Sequence, residues 1–409
     1  MVCPTYPPYD TSGATRYYYD VARKFAEKGI YVDVVTSPVD KVMVKREGKI
    51  TIHRLSCMEW NDRTDSKGQT ERLLRYLRKL CEKKKIDIIS SQHLNNWSFL
   101  NPGYSIATNI VAVENKIPNI LTVHNPYGLT NENAPEKIAL LHMFWDKIIS
   151  VSSFISEKIH SIGVDVNLIS TCYPGVDLAS FKPDLGRKWL QSRIGVKERE
   201  RIILFAGRIE DGKGIPELLN SFATIANRTK NVKLLIAAGR ISPKLKDVFD
   251  KSVEKTYEKA KLLGIRDKII IQPFELDEMP RVYSGADIFV LPTRAEAFGL
   301  VYVEAMACGL PVIGTSVGGV PEIISNGEDG YLVPPEDPTE LTKKIEWLLK
   351  NKSKRIAMGK KGVEKASKKF NLDKNIEKLI GVYNSTLCQV SKKKTAKNKN
   401  SGIQAVLNS

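Results

Sequence analysis

Two acidic residues, Glu296 and Glu304, close the stretch "EAFGLVYVE" at its two ends. Carboxylates so placed invite three readings: an acid/base pair, two grips on one ligand, or plain surface charge. On one continuous helix they would stand about 12 Å apart along the axis, beyond the roughly 5 to 9.5 Å of glycosidase carboxylate pairs. An acid/base dyad is therefore not expected. "LPTRAEAFG" reads instead as a strand ending at Pro292 and a loop to Gly299, with a helix from Leu300 to about Cys308. That arrangement leaves Glu296 in a loop at the C-terminal edge of a parallel sheet, where open α/β folds bind ligands. The amides from Phe298 through Gly299 and Leu300 to Val301 then form a helix N-terminus. Glu304, one turn in, can accept two hydrogen bonds from a vicinal diol such as a ribose.

A second group of chemistry-bearing residues lies in "LFAGRIEDGKGIPELL", which follows an apolar run and precedes a helix beginning near Pro216. Gly207 to Lys213 fits G-x-x-x-x-G-K, the start of a P-loop, so an ATPase has to be weighed. The fit ends there: Gly214 occupies the position where a Ser or Thr hydroxyl should reach Mg²⁺. None of "VKLLIAAG", "KIIIQPF" or "ADIFVLPT" ends in the acid that completes such a metal site. What remains is Arg208 and Lys213 among glycines, two fixed cations suited to a diphosphate held without a metal; the plainer reading is a solvated charged turn. "TSGATRYYYDVARKFAEKG" puts Gly13 and Ala14 at a helix entrance, where free amides and the helix dipole favour phosphate. Its plainer reading is a small-residue turn into a surface helix. One extended ligand with a polyol end, a diphosphate middle and a ribose end would satisfy all of these groups together.

These residues need a scaffold, and apolar runs read against helical periodicity supply one. Short β-rich runs, "YVDVVTS", "KITIHRLS", "IDIISSQ", "NILTVHN" and "DKIISVSS", are followed later by "RIILFAG", "VKLLIAAG", "KIIIQPF", "ADIFVLPT", "PVIGTS" and "GYLVP". Most are continuous, as in parallel strands buried on both faces, with amphipathic segments between them long enough for crossover helices. The pattern is α/β, doubly wound, twice over. The boundary is expected in "YPGVDLASFKPDLGRKW", where Pro and Gly interrupt the pattern: a first domain over 1–183 and a second over 184–370. The segment 371–390 contains a last helix, "NIEKLIGVYNSTLCQV", and 391–409, acid-free and basic, reads as a disordered tail. Only "MVC" precedes "PTYPPYDTSGA", too little for the central first strand of a doubly wound domain. The expectation is a truncated first strand or a start that lies upstream.

The chain has 409 residues, 42% of them hydrophobic and 27% charged, long for one core and of ordinary soluble composition. No apolar run approaches the roughly 20 residues of a membrane span, and no secretory signal pattern stands at the N-terminus; a cytoplasmic location is expected. Six cysteines without paired spacing argue against a disulfide framework or zinc site. The net charge of +17 would fit a phosphate-rich partner, but only about +4 of it falls before Pro183. The basic runs lack interleaved aromatics, so nucleic acid is not expected. "QTERLLRYLRKLCEKKK" sets Leu73, Leu74, Leu77, Leu80 and Cys81 on one helix face amid basic residues. It reads either as a crossover helix with a solvated outer face or as a peripheral contact for an anionic membrane.

The long run "RAEAFGLVYVEAMACGLPVIGTSVGGVPEIISNGEDGYLVP" resembles the signature of the family 4 glycosyltransferases. "YPPYDTSGAT", "VHN", "SVSSFI", "YPGVDLASFKP" and "GRIEDGKG" occur in that family's order, so the likeness covers nearly the whole chain. The resemblance implies the GT-B fold: two Rossmann-like domains facing across a cleft, with the last helix crossing back onto the first. It implies a retaining, metal-independent transferase of the hexosyltransferase kind, moving a glycosyl group from a nucleotide-diphospho-sugar to a sugar, lipid-linked or small-molecule acceptor. No cofactor is implied beyond the donor. Carried over by position, Glu296 would bind donor-sugar hydroxyls, Glu304 the ribose, and Arg208 and Lys213 the diphosphate. Gly13 would approach the phosphates from the facing domain, and His124, closing "NILTVHN", would sit near the donor sugar. Phe298, Gly299 and Leu300 would offer backbone amides; Gly318, Gly319 and Glu322 match "GG-x-P-E". Ala14 departs from the family, which often has a second Gly there. Two rival readings share the fold: a non-catalytic nucleotide-sugar-binding protein, and a GT-B epimerase or phosphorylase.

Overall fold

The computed structural model describes residues 1–8, 12–39, 41–58, 66–93, 103–126, 129, 134–239 and 246–407. Tyr9, Asp10 and Thr11 of the "YPPYDTSGAT" stretch lie outside the described residues. The chain forms two compact units: Met1–Tyr6 with Asp20–Cys172 and Ile376–Ser409, and Pro7–Tyr19 with Tyr173–Asn375. By packing, the chain passes from the first unit into the second between Cys172 and Tyr173, ahead of the boundary expected near Pro183.

In the first unit, helix α1 (Gly13–Glu27), whose opening turns belong to the other unit, leads into β1 (Val32–Thr36), β2 (Met43–Glu47) and β3 (Ile50–Arg54). These form a sheet of order β1-β3-β2, with β1 parallel to β3 and β2 an antiparallel edge. Then come α2 (Ser66–Lys83), β4 (Ile89–Gln92), α3 (Gly103–Asn115), β5 (Asn119–Val123), α4 (Pro135–His142), β6 (Lys147–Ser150), α5 (Ser153–Ser161) and β7 (Ile169–Thr171). Strands β4 to β7 run parallel in sequence order. Met1–Cys3 joins the two sheets. The Val2 amide donates to Ser90 (2.8 Å) and the Cys3 amide to Val35 (3.0 Å), while Gln92 and Val35 donate back to Val2 and Met1. The position of a central first strand is thus filled by a single bridged residue, Val2.

The apolar face of α2 is used internally. Leu73 and Leu77 are buried with Val2, Leu55, Met58, Tyr104 and Val111, and Leu74, Leu80 and Cys81 pack against that cluster. The crossover-helix reading of this segment therefore holds, and its leucines are not offered to a membrane. Among the described residues no helix is long and apolar enough to cross a bilayer.

The second unit continues with α6 (Arg187–Ile194), β8 (Arg201–Ala206), α7 (Ile215–Arg228), β9 (Val232–Gly239), α8 (Lys246–Leu262), β10 (Ile269–Phe274), α9 (Met279–Gly285), β11 (Ile288–Leu291), α10 (Leu300–Ala307), β12 (Val312–Thr315), α11 (Val320–Ile323), β13 (Gly330–Val333), α12 (Pro338–Lys350) and α13 (Lys352–Lys369). Its six strands are all parallel in the order β10-β9-β8-β11-β12-β13. The order reverses between β8 and β11, so the loops that follow those two strands flank the switch point where such sheets bind ligands. These are the loops that carry Arg208, Lys213 and Glu296.

The last helix, α14, runs from Leu372 to Leu407. The basic stretch after Ser391, expected as a disordered tail, continues this helix. Lys, Ala and Gln are good helix formers and no proline interrupts them. From Ile376 onward the helix belongs to the first unit, where Tyr383 stacks edge-on against Phe25 with centroids 5.3 Å apart.

Candidate functional site

In the second unit the loops after β8 and β11 are tied together. The Arg294 amide donates to the Gly212 carbonyl (2.9 Å), and the Thr293 hydroxyl lies within bonding distance of Gly212 and Ala295 carbonyls (3.2 and 2.8 Å). Arg294 also pairs through its side chain with Glu217 at the start of α7 and with Glu336. On this frame Lys213, ending a short 3₁₀ turn, sets its Nζ 2.9 Å from Glu296 Oε2, with both side chains mostly buried. Arg208 stands on the same loop, more exposed, 3.2 Å from Glu210. Lys213 and Glu296 are thereby brought together, with Arg208 on the same loop as Lys213.

Glu296 is also held by its main chain. The Gly319 amide donates to the Glu296 carbonyl (3.0 Å). Gly318, at φ +54°, lies so close beneath that carbonyl that a Cβ there would overlap its oxygen. The "GG-x-P-E" glycines are thus a backbone bed for the Glu296 loop. Glu322 of the same motif accepts from the Tyr173 hydroxyl (2.8 Å), and its carbonyl accepts from Lys369 (2.9 Å). That role is structural.

Helix α10 begins at Leu300 with Gly299 as its cap. Phe298 is buried against Tyr173 and Phe370, so its side chain anchors the turn while the following amides open the helix. Glu304 lies one turn in and accepts from the Tyr283 hydroxyl at 2.9 Å. Tyr283 is fully buried, and burial together with the adjacent Glu304 carboxylate drives its phenol far above the ordinary range; it is a permanent donor. Sequence reasoning missed Tyr283, since a tyrosine on α9 carries no motif. It also missed Arg16, whose guanidinium lies 5.8 Å over Phe181 and whose charge acts on the Tyr283 phenol. Gly13 and Ala14, expected on the first domain, fall with the second unit, capped by Ser12, whose hydroxyl accepts from the Thr15 amide. Among the described residues, its chain neighbours and own helix aside, nothing lies within 4 Å of where a Gly13 Cβ would stand.

His124 lies in the first unit, just past β5, beside residues not anticipated as site residues from sequence. Gln92 ends β4, whose register places it opposite Thr122 of β5, and His93 follows it. The His124 Nε2 lies 3.2 Å from Gln92 Oε1, His93 Nε2 lies 2.9 Å from Asn125 Nδ2, and the two imidazoles are 5.6 Å apart. His93 holds φ at +128°, a conformation rare for a residue with a side chain and often found at functional positions. Burial lowers the His93 pKa to about 4; burial, reinforced by His93, takes His124 well below the usual histidine range. Both rings are neutral at physiological pH, so they can exchange hydrogen bonds with hydroxyls without carrying charge. The signal that could have found this cluster is "SSQH", a polar strand end parallel to "TVHN".

Among the described residues no group of three or more His, Cys, Asp or Glu is arranged to hold a metal ion. The cysteines are all free thiols.

Comparison with known proteins also divides the chain in two, between residues 180 and 187. The family model described as Glycosyltransferase Family 4 matches residues 11–180, and that described as Glycosyl transferases group 1 matches 187–365. The chain is 33% identical over 218 residues to a D-inositol 3-phosphate glycosyltransferase of Corynebacterium efficiens, a match spanning 52% of this chain and half of that relative's length. It is 26% identical over 405 residues to that of Corynebacterium glutamicum, covering 92% and 93% of the two chains. Among solved structures, sucrose-phosphate synthase from Thermosynechococcus elongatus superposes with a TM-score of 0.78 at 21% identity, covering 93% and 94%. The Anabaena protein HepE, in complex with UDP-glucose, superposes with a TM-score of 0.74 at 17% identity, covering 94% and 98%. The two family matches together take in nearly the whole chain, and it belongs to glycosyltransferase family 4, with the GT-B fold.

Proposed function

We propose that this protein is a retaining glycosyltransferase that moves a glycosyl group, of the hexosyl kind, from a nucleotide-diphospho-sugar to an acceptor bearing a hydroxyl. The observation that carries this reading is the Lys213–Glu296 pair at 2.9 Å, with Arg208 on the same loop as Lys213, on the loops at the switch point of the parallel sheet. The Glu296 carboxylate gives Lys213 an anionic partner. A donor diphosphate would take over Lys213 and Arg208 and leave Glu296 to accept from sugar hydroxyls. Two cations then stabilise the charge that develops on the leaving diphosphate, a role a metal often fills. Glu304, fixed by Tyr283, is set to accept from a ribose diol, and the α10 amides and Gly13 to face phosphate oxygens. His124, neutral, would contact the sugar.

The names of relatives support the donor and acceptor classes: UDP-glucose is bound by the Anabaena protein, and an inositol phosphate names the corynebacterial enzymes. A nucleotide sugar as donor and a polyol, sugar or lipid-linked acceptor fit this site. Metal independence belongs to the same proposal, as does a cytoplasmic location. Contact with an anionic membrane would run through exposed basic residues of α2 such as Arg72, Arg75, Lys79 and Lys83; flotation with anionic vesicles at low and high salt checks it.

The test is incubation with UDP-, GDP- and ADP-sugars, with and without EDTA, scored for nucleotide release and product anomer. Turnover that survives EDTA, retains configuration and is lost in Glu296→Ala is the expected result. Binding without turnover would instead identify a nucleotide-sugar-binding module. An epimerised sugar would identify an epimerase on the GT-B fold, and a sugar phosphate formed from inorganic phosphate would identify a phosphorylase.

A further inference from the structure

The far side of the His124 cluster is a chain of side chains that no part of the proposed reaction uses. Gln92 is buried, 1% exposed, and its carboxamide lies between two partners. Its Oε1 faces His124 Nε2 at 3.2 Å, and its Nε2 donates to the Ser90 hydroxyl at 2.9 Å. Ser90 Oγ in turn is 2.7 Å from the hydroxyl of Tyr383 on α14. The backbone of the same strand end is fixed as well, since the Gln92 amide donates to the Val2 carbonyl at 2.8 Å. A neutral imidazole carries one N–H, and which nitrogen bears it is decided by the partner of the other face. A carboxamide oxygen can only accept, so a hydrogen bond between this nitrogen and Oε1 requires the proton on Nε2.

We propose that Gln92 is a positioning residue for His124. Its oxygen selects the Nε2–H form of the ring and makes Nδ1 the nitrogen with the lone pair, and the Ser90 hydroxyl, backed by Tyr383 of the last helix, holds the carboxamide that way round. His124 then meets the reacting sugar as a ring of fixed orientation and fixed donor and acceptor sides. The last helix takes part in the site through a relay of three hydrogen bonds, joining Tyr383 with Ser90, Ser90 with Gln92 and Gln92 with His124, without touching the ligand. This inference rests on the reading that His124 contacts the donor sugar, but its first half, the choice of tautomer, can be read without any substrate.

The experiment is long-range ¹H–¹⁵N correlation on full-length protein labelled in its histidines, five in all, with His124 assigned from a His124→Gln variant. The expected result is an Nε2–H signature for His124 in the native protein and in Gln92→Glu, whose carboxylate can only accept, and a mixed or Nδ1–H signature in Gln92→Leu. An Nδ1–H form in the native protein, or a His124 signature indifferent to Gln92→Leu, overturns the proposal. Glycosyl transfer supplies the second arm. Gln92→Leu should lower kcat by about ten- to a hundredfold with little change in donor KM, as misplacement of a positioned group does, and Gln92→Glu should recover most of it. A tautomer that shifts while kcat stays unchanged overturns the role of His124 in transfer, whereas a tautomer that does not shift removes Gln92 alone.

Discussion

At the residue scale, the position of Glu296 is decided by atoms that are not its own. The Glu296 carbonyl rests on Gly318 and accepts from Gly319, so Gly318→Ala adds a methyl where only the oxygen fits, at a φ that side chains rarely adopt. The loop must move, and Glu296 with it. Expected is a loss of about 1–3 kcal/mol in stability with a much larger loss of turnover, about 100-fold or more, because a displacement near 1 Å is enough to misalign a reacting group. Urea unfolding and steady-state kinetics on the same preparation check both. Gly13→Ala makes the contrasting case. Among the described residues beyond its own helix nothing crowds that position, so the thermal midpoint should hold or rise slightly, and a rise in donor KM at an unchanged midpoint is the expected sign of crowding of the ligand. The donor loops were legible in the sequence because Gly, Lys and Glu at fixed spacings mark a charged, tight-turned site. Tyr283, Gln92 and His93 were not, because their value lies in what they touch, and contacts between distant segments leave no local pattern.

At the scale of elements, buried strands announced themselves as unbroken apolar runs, and every such run in the second half became a strand of its sheet. Strands β2 and β7 were missed for the opposite reason: "MVKRE" is exposed along nearly its whole length and "IST" is too short to show a period. One polar residue holds several elements at once. Asp287, entering β11, receives Arg187 of α6 (2.8 Å), Arg201 of β8 (2.9 Å) and the Ile202 amide (2.9 Å), with Arg355 of α13 at 3.7 Å. Asp287→Ala leaves three guanidinium groups without their shared anion and should cost about 3–5 kcal/mol, read as a lower urea midpoint for the second unit. In the first unit the elements respond to acid. Burial opposes ionisation of Asp33, but hydrogen bonds from His53 and Lys84 outweigh it and bring its pKa down to about 2. His93 and His124 are held neutral below the usual histidine range. In all three cases the unfolded chain binds the proton more readily, so stability falls as pH falls: first below about 6.5, as the histidines protonate in the unfolded chain, then from about 4 towards 2 for Asp33. His93→Gln should flatten the upper part of a plot of thermal midpoint against pH, and Asp33→Asn the lower part.

At the scale of the whole molecule, the two units are separate cores threaded by one chain, and the sequence showed the cores more clearly than the threading. Composition suggests one crossing near Pro183; packing assigns residues 7–19 to the second unit and Ile376 onward to the first. Which core a helix joins depends on side chains far away in sequence, and the pattern of the helix itself does not say. The assignment has a mechanical consequence. Ile376 and Leu379 of α14 are each 3% exposed, Glu377 pairs with Lys28, and Tyr383 packs on Phe25, all within the first unit. Leu379→Ala deletes buried methyl groups and should cost about 2–5 kcal/mol. If the cores unfold as separate cooperative units, amide exchange will accelerate in β1, β4 and the second half of α1 and leave β8 to β13 at native protection. Equal acceleration in both sets would mean that the chain unfolds as one block and that α14 stabilises the second core as much as the first.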